Sequence, residues 1–232
     1  MRFKSLVNIL GGLIAILGIT MIIPILISFY AGGADLKGFI ISFLICNLIG
    51  LPSWFFTRHK NTLTNRDGFA IVTFSWIATA VIGSLPFYFS GAIPNLTDSF
   101  FESMSGVTTT GASIIDARVF PHLPNGIESL DLGLLYWRSF IQWIGGMGII
   151  VFYIAILPLL GVSGSQLFKA EVPGPVADKI TPRVRETAKF LWIVYVGITL
   201  LNLIALLAAG MPFFDSLCHA FTTMPTGGFS IK

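Results

Sequence analysis

The stretch Phe100-Phe101-Glu102-Ser103-Met104-Ser105-Gly106-Val107-Thr108-Thr109-Thr110-Gly111-Ala112-Ser113 is a polar interruption among long apolar segments, and its reading decides the fold. Helical backbone is expected up to about Val107, because no Pro intervenes and Asp98 or Thr97 can cap the start. Beyond that point the chain should leave the helix. Three successive β-branched Thr favour extended or irregular backbone, and Gly111 permits a positive φ that other residues resist. At membrane depth, irregular backbone is tolerated only where it lines a watery cavity or is buried in protein. Carbonyl oxygens freed in this way can replace the water around a cation.

The pattern occurs twice. Aligning Gly111 with Gly228, an offset of 117 residues, pairs Asp98 with Asp215, Ser99 with Ser216, Thr109 with Thr226, Ser113 with Ser230 and Ile114 with Ile231 without a gap. The second copy reads Phe213-Phe214-Asp215-Ser216-Leu217-Cys218-His219-Ala220-Phe221-Thr222-Thr223-Met224-Pro225-Thr226-Gly227-Gly228-Phe229-Ser230. Each copy is an acidic-capped amphipathic helix followed by Thr-x-Gly-x-Ser. Two unrelated Thr/Gly-rich turns are the alternative, and the shared register argues against it.

Composition agrees with a membrane setting. A chain 54% hydrophobic and only 11% charged, with a mean hydropathy of +0.84, is too apolar for an ordinary soluble domain. The net charge of +3 has no basic, aromatic-interleaved stripe behind it, so it is no nucleic-acid footprint. The two cysteines, Cys46 and Cys218, sit in apolar or pore-helix context and read as packing thiols.

From the start, Arg2 and Lys4 precede an apolar run from Leu6 to Tyr30. This run exceeds the roughly 7–15 residues of a signal-peptide core and reads as a retained transmembrane helix. Pro24 is expected to kink it, and Gly11-Gly12 offers a close-packing surface. A second span runs from Gly38 to about Phe56. The basic loop from Thr57 to Asp67 belongs in the cytoplasm by the positive-inside rule, which also puts Arg2 and Lys4 there. A third span, Phe69 to Phe89, then crosses outward to the first polar stretch. The sequon Asn95-Leu96-Thr97 carries little weight, since such triplets arise readily by chance.

The following loop sets Asp116, Glu128 and Asp131 against Arg118. Its acidic balance suits the exterior, either as a vestibule that concentrates cations or as solvated charge without a role. A fourth apolar stretch, Leu132 to Gly161, would reach roughly 45 Å as one helix, against a hydrocarbon core of about 30 Å. It must tilt, break or project. Gly145-Gly146-Met147-Gly148 and Pro158 are its weak places. Arg138, its lone charge, is expected to snorkel or pair locally, with a pore-facing position as the other option. The loop from Val162 to Thr187 mixes both charge signs with Pro and Gly and reads as cytoplasmic. Phe190 to Ala209 crosses outward into the second polar stretch.

Glu102 through Ser113, Gln142-Trp143-Ile144-Gly145-Gly146-Met147-Gly148-Ile149 and Pro225-Thr226-Gly227-Gly228-Phe229-Ser230 resemble the bacterial Trk/Ktr/HKT potassium transporter superfamily, in particular its TrkH-type subunits. The resemblance covers essentially the whole chain. It implies an all-α membrane protein made of repeated units of transmembrane helix, pore helix, filter loop and transmembrane helix, with a potassium-channel-like pore. Two N-terminal transmembrane helices then occupy 1–67, the first repeat 68–161, a cytoplasmic loop 162–186 and an incomplete second repeat 187–232. The implied activity is potassium uptake across the bacterial inner membrane, with the N-terminus cytoplasmic and the filter loops facing the periplasm. Potassium would be held by the backbone carbonyls of Thr109, Thr110, Thr226 and Gly227, beside the filter glycines Gly111 and Gly228. Also implied are a lipid environment, homodimerisation of the full-length form and a cytoplasmic TrkA-type nucleotide-binding regulatory subunit. Neither an organic cofactor nor nucleic acid is expected.

The departure is length. The chain stops at Lys232, just past the second filter, so it is expected to be an N-terminal fragment or a truncated reading frame of a longer transporter. Three other readings stand beside it. A membrane enzyme would need clustered catalytic residues, yet His59, His122 and His219 lie far apart and neither G-x-S-x-G nor H-E-x-x-H occurs. A non-transporting assembly subunit and a less selective monovalent cation transporter remain open.

Overall fold

A computed structural model of the protein describes residues 3–57, 65–148 and 181–231. All regular structure among them is helical: α1 (Phe3–Thr20), α2 (Ile22–Ala31), α3 (Leu36–Phe56), α4 (Asn65–Ser90), α5 (Leu96–Val107), a 3-10 turn at Gly126–Ser129, α6 (Leu132–Gly146), α7 (Thr181–Ala208) and α8 (Phe213–Thr223). Among the described residues four stretches are long and apolar enough to cross a membrane, namely Phe3–Ala31, Leu36–Phe56, Asp67–Ser90 and Lys189–Ala208.

The kink expected at Pro24 falls as a one-residue interruption of the helix one turn earlier, at Met21. Proline has no N–H to return to the Thr20 carbonyl and its ring crowds that oxygen. The ladder stops at Met21, whose N–H turns back to the Gly18 carbonyl (3.1 Å), and α2 begins at Ile22. The α1 glycines do pack closely. A Cβ on Gly11 would lie 2.7 Å from Ser53 Cβ, and one on Gly50 of α3 would lie 2.6 Å from the Ala15 nitrogen. With the two backbones this near, Asn8 Nδ2 reaches the Trp54 carbonyl (2.5 Å).

A reciprocal carboxylate exchange joins the N-terminal ends of α3 and α6. Asp131 Oδ2 accepts the Asp35 N–H (3.1 Å), and Asp35 Oδ2 accepts the Leu134 N–H (3.0 Å), so each acid serves the helix that begins at the other. Burial, with Asp131 beside it, pushes the Asp35 carboxyl above the usual carboxylate range. Asp131 is therefore committed to a helix start. Asp116 is likewise committed, in an exposed bidentate pair with Arg118 (3.0 Å at both contacts) that lowers its carboxyl to about 2. Of the three acids expected to make a negative vestibule, two are locally engaged.

Helix α6 is the hub. Every residue from Leu134 to Gln142 is buried, as a helix enclosed on all sides requires. Trp137 Nε1 donates to the Gly83 carbonyl of α4 (3.0 Å), and Trp143 Nε1 donates to Thr199 Oγ1 of α7 (3.0 Å). Helix α7 is the opposite case: Phe190, Ile193, Leu201 and Ile204 are all exposed, which suits a surface turned to lipid. Among the described residues the fourth apolar stretch is helical only to Gly146, and Gly148 turns away with φ 66°. The break falls in the glycine run where it was expected. Pro158, the basic residues Arg58 and Lys60, and most of the loop over 162–186 lie outside the described residues, while α7 begins at Thr181, well before Phe190.

Candidate functional site

Both polar stretches fold as a short helix that ends in an irregular loop. Helix α5 is capped by Asn95, whose Oδ1 accepts the Thr97 N–H (3.0 Å). This corrects the expectation that Asp98 or Thr97 caps it: Asn95 has the extended backbone that an N-cap needs, and Thr97 and Asp98 are already helical. Helix α8 begins after Pro212 without a side-chain cap.

The helix ends match bond for bond. In the first copy Thr109 N–H donates to the Gly106 carbonyl and Thr110 N–H to the Ser105 carbonyl, both at 2.9 Å. In the second, Thr226 N–H donates to the Thr223 carbonyl (2.9 Å) and Gly227 N–H to the Thr222 carbonyl (3.2 Å). Each is a Schellman closure, which puts one residue in the left-handed region, usually Gly. Here that residue is Thr, with φ 55° at both Thr109 and Thr226, the only non-glycine residues with positive φ among those described. A β-branched side chain there is a strained outlier costing about 1–2 kcal/mol. Two residues on, Gly111 and Gly228 take φ 76° and 75°. The sequence had pointed to a left-handed turn at the glycine alone; the Thr two residues earlier shares it.

The two loops lie side by side. A Cβ on Gly111 would run into the Gly227 carbonyl oxygen, so the first loop has no room for a side chain where it meets the second. Both loops also nest against the glycines of α6. Gly145 abuts the Val107 carbonyl, and Gly146 abuts Pro225. Gly228 has no such neighbour within 4 Å among the described residues. The expected site residues Thr109, Thr110, Thr226 and Gly227 thus belong to adjoining segments, with Thr110 and Thr226 exposed and Gly227 buried.

Behind the loops lies a polar cluster that the sequence reading did not assemble. Glu102, fully buried on α5, accepts from Ser113 Oγ (3.0 and 3.1 Å) and from the Ile114 N–H (3.0 Å), tying the limb after Gly111 to its own helix. Ser105 Oγ adds a bond to the Ala112 carbonyl (2.5 Å). Arg138 neither snorkels nor faces an open channel. Its side chain is 1% exposed, with Nε 2.6 Å from Glu102 Oε1 and Nη1 donating to the Ser230 carbonyl at 2.7 Å. Its guanidinium carbon lies 3.5 Å from the centre of the Phe229 ring. One helical turn on, Gln142 Oε1 accepts the Phe229 N–H (3.2 Å). The available signal was Arg138, a lone charge inside an apolar stretch, since a single buried charge needs a partner.

A helical membrane chain with a duplicated short helix and loop, the two copies joined through one central helix, defines a membrane protein built from internal repeats. The TrkH family of cation transport proteins matches residues 35–232, and the chain belongs to that family. It is 45% identical over 235 residues to the Trk system potassium uptake protein TrkH of Vibrio parahaemolyticus, covering 99% of this chain and 46% of that protein. It is 38% identical over 231 residues to the Trk system potassium uptake protein TrkG of Escherichia coli, covering 98% and 46%. The crystal structure of the potassium transporter TrkH from Vibrio parahaemolyticus superposes with a TM-score of 0.79 at 39% identity, over 100% of this chain and 45% of that one. The chain spans about half the length of these relatives.

Proposed function

We propose that this chain supplies the N-terminal half of a potassium-uptake pore in a bacterial inner membrane. The ion is held there by the backbone carbonyls of Thr109, Thr110, Thr226 and Gly227. The observation that carries this reading is the identical strained closure of two adjoining loops. Strain kept twice, at Thr109 and at Thr226, is what a site demanding one particular backbone path retains. Carbonyls taken out of helical pairing by that path can replace water around a monovalent cation. The family's relatives carry potassium uptake in their names, which favours potassium as the transported ion.

The same reading gives the two N-terminal helices over 1–67 and the repeats over 68–161 and 187–232 their roles, with the N-terminus cytoplasmic and both loops opening to the periplasm. A homodimer and a cytoplasmic nucleotide-binding partner of TrkA type complete it. The test is growth at low potassium in bacteria lacking their own uptake systems. A protein of the relatives' full length with this chain as its N-terminal half restores growth, and residues 1–232 alone do not. Failure of the full-length protein to take up potassium, when present in the membrane at normal abundance, would overturn the proposal.

A further inference from the structure

Arg138 stands where the two loops can be held in register. Its guanidinium contacts both copies at the same repeat position, through Glu102 to Ser113 on one side and directly to the Ser230 carbonyl on the other, and Ser113 and Ser230 are equivalent residues. We infer that Arg138 is a positioning residue that fixes one filter segment relative to the next and so sets ion discrimination, an inference that rests on the filter reading above.

Three features separate this role from that of an ordinary buried ion pair. The pair bonds loop backbone on both sides: Glu102 accepts the Ile114 N–H, and Arg138 donates to the Ser230 carbonyl. A guanidinium presents several donors in a fixed planar fork, so it can bind Glu102 and Ser230 at once at set angles. An ammonium on a flexible stem neutralises the carboxylate without fixing that angle. Finally, the second copy has no carboxylate at the matching position, because the residue equivalent to Glu102 is His219. In the second loop α6 itself bonds the limb, through Arg138 at Ser230 and Gln142 at Phe229. Side-by-side contact at Gly111 and Gly227 leaves little slack, so a small rotation of one limb moves the neighbouring carbonyls.

The test uses the full-length protein in uptake-deficient bacteria, with wild type and Gly111→Ser as references and potassium and sodium uptake measured against membrane abundance. Arg138→Lys keeps the charge pair and should hold abundance near wild type, while the ratio of potassium to sodium uptake falls about tenfold, the effect of roughly 1.4 kcal/mol of lost discrimination. Arg138→Gln alone strands the Glu102 charge, so the double variant Glu102→Gln with Arg138→Gln is the cleaner neutral pair. It should recover abundance without recovering discrimination. A wild-type ratio in Arg138→Lys or in the abundant double variant, alongside a lowered ratio in Gly111→Ser, overturns the positioning role and leaves the filter reading intact. Unchanged discrimination in Gly111→Ser as well overturns both.

Discussion

The two loops follow one backbone path with different supports. In the first copy the limb after the glycine is anchored to its own helix, through Glu102 and Ser105. In the second the equivalent limb bonds across to α6, at Arg138 and Gln142. The closing hydrogen bonds, the left-handed Thr and the left-handed Gly are common to both. The path is therefore written into the backbone of each copy, while the means of holding it in place are free to differ. Substitutions in the shared part should affect the copies alike unless a neighbour intervenes, and substitutions in the supports should not.

Gly111 and Gly228 give the largest effect and the sharpest test of that statement. Both have φ near 75°, so a side chain at either strains the backbone by about 1–3 kcal/mol. Only at Gly111 would the new Cβ also collide with the second loop, at the Gly227 carbonyl. Gly111→Ser should therefore abolish most discrimination between potassium and sodium, displacing both loops, and Gly228→Ser should lose less. Ion competition during uptake by the full-length protein measures this. Equal losses would show that Gly228 also meets a neighbour there, one supplied from beyond these residues.

The supports come next. Glu102→Gln leaves Arg138 buried with its charge uncompensated, a change that typically costs about 3–5 kcal/mol. His219, in the equivalent place, is half-buried, and a substitution away from core packing or a buried network usually moves stability by about 0.5 kcal/mol or less. Thermal denaturation of the purified full-length protein in detergent should show Glu102→Gln melting several degrees lower and His219→Gln near wild type. Comparable losses would mean that the second copy carries an anchor of its own at that position.

Much of this was legible in the residues. Four of the five expected spans, the duplicated stretch and its register follow from hydropathy and from a 117-residue offset, because lipid demands long apolar helices and a repeat preserves spacing. The break at Gly145 to Gly148 could be read because helix length is bounded by bilayer thickness. The cap at Asn95 was missed because Asp98 and Thr97 are also favoured capping types, and only backbone geometry decides among them. The cluster of Glu102, Arg138 and Ser230 was missed for a different reason. Its members lie 36 and 92 residues apart, so only the packing of α5 and the second loop against α6 brings them together. Likewise the left-handed Thr is hidden by its own propensity, which points to extended backbone.

That strained residue supplies the smallest expected effect. In the Schellman closure the left-handed position is normally glycine, so Thr109→Gly and Thr226→Gly each remove an unfavourable φ without touching the hydrogen bonds that close the helix. The gain is partly offset, because glycine adds conformational freedom to the unfolded chain. The net change in stability should be within about 1 kcal/mol of wild type and favourable or neutral in sign. Discrimination should nevertheless fall in both variants, and by similar amounts, since the loop loses the stiff β-branched residue that holds its path. Melting temperature and ion competition measured on the same preparations separate the two consequences. A melting temperature several degrees lower in either variant would mean that the threonine side chain makes a stabilising contact greater than its backbone strain. Unequal losses of discrimination would mean that the two copies do not share the path as closely as their hydrogen bonds imply.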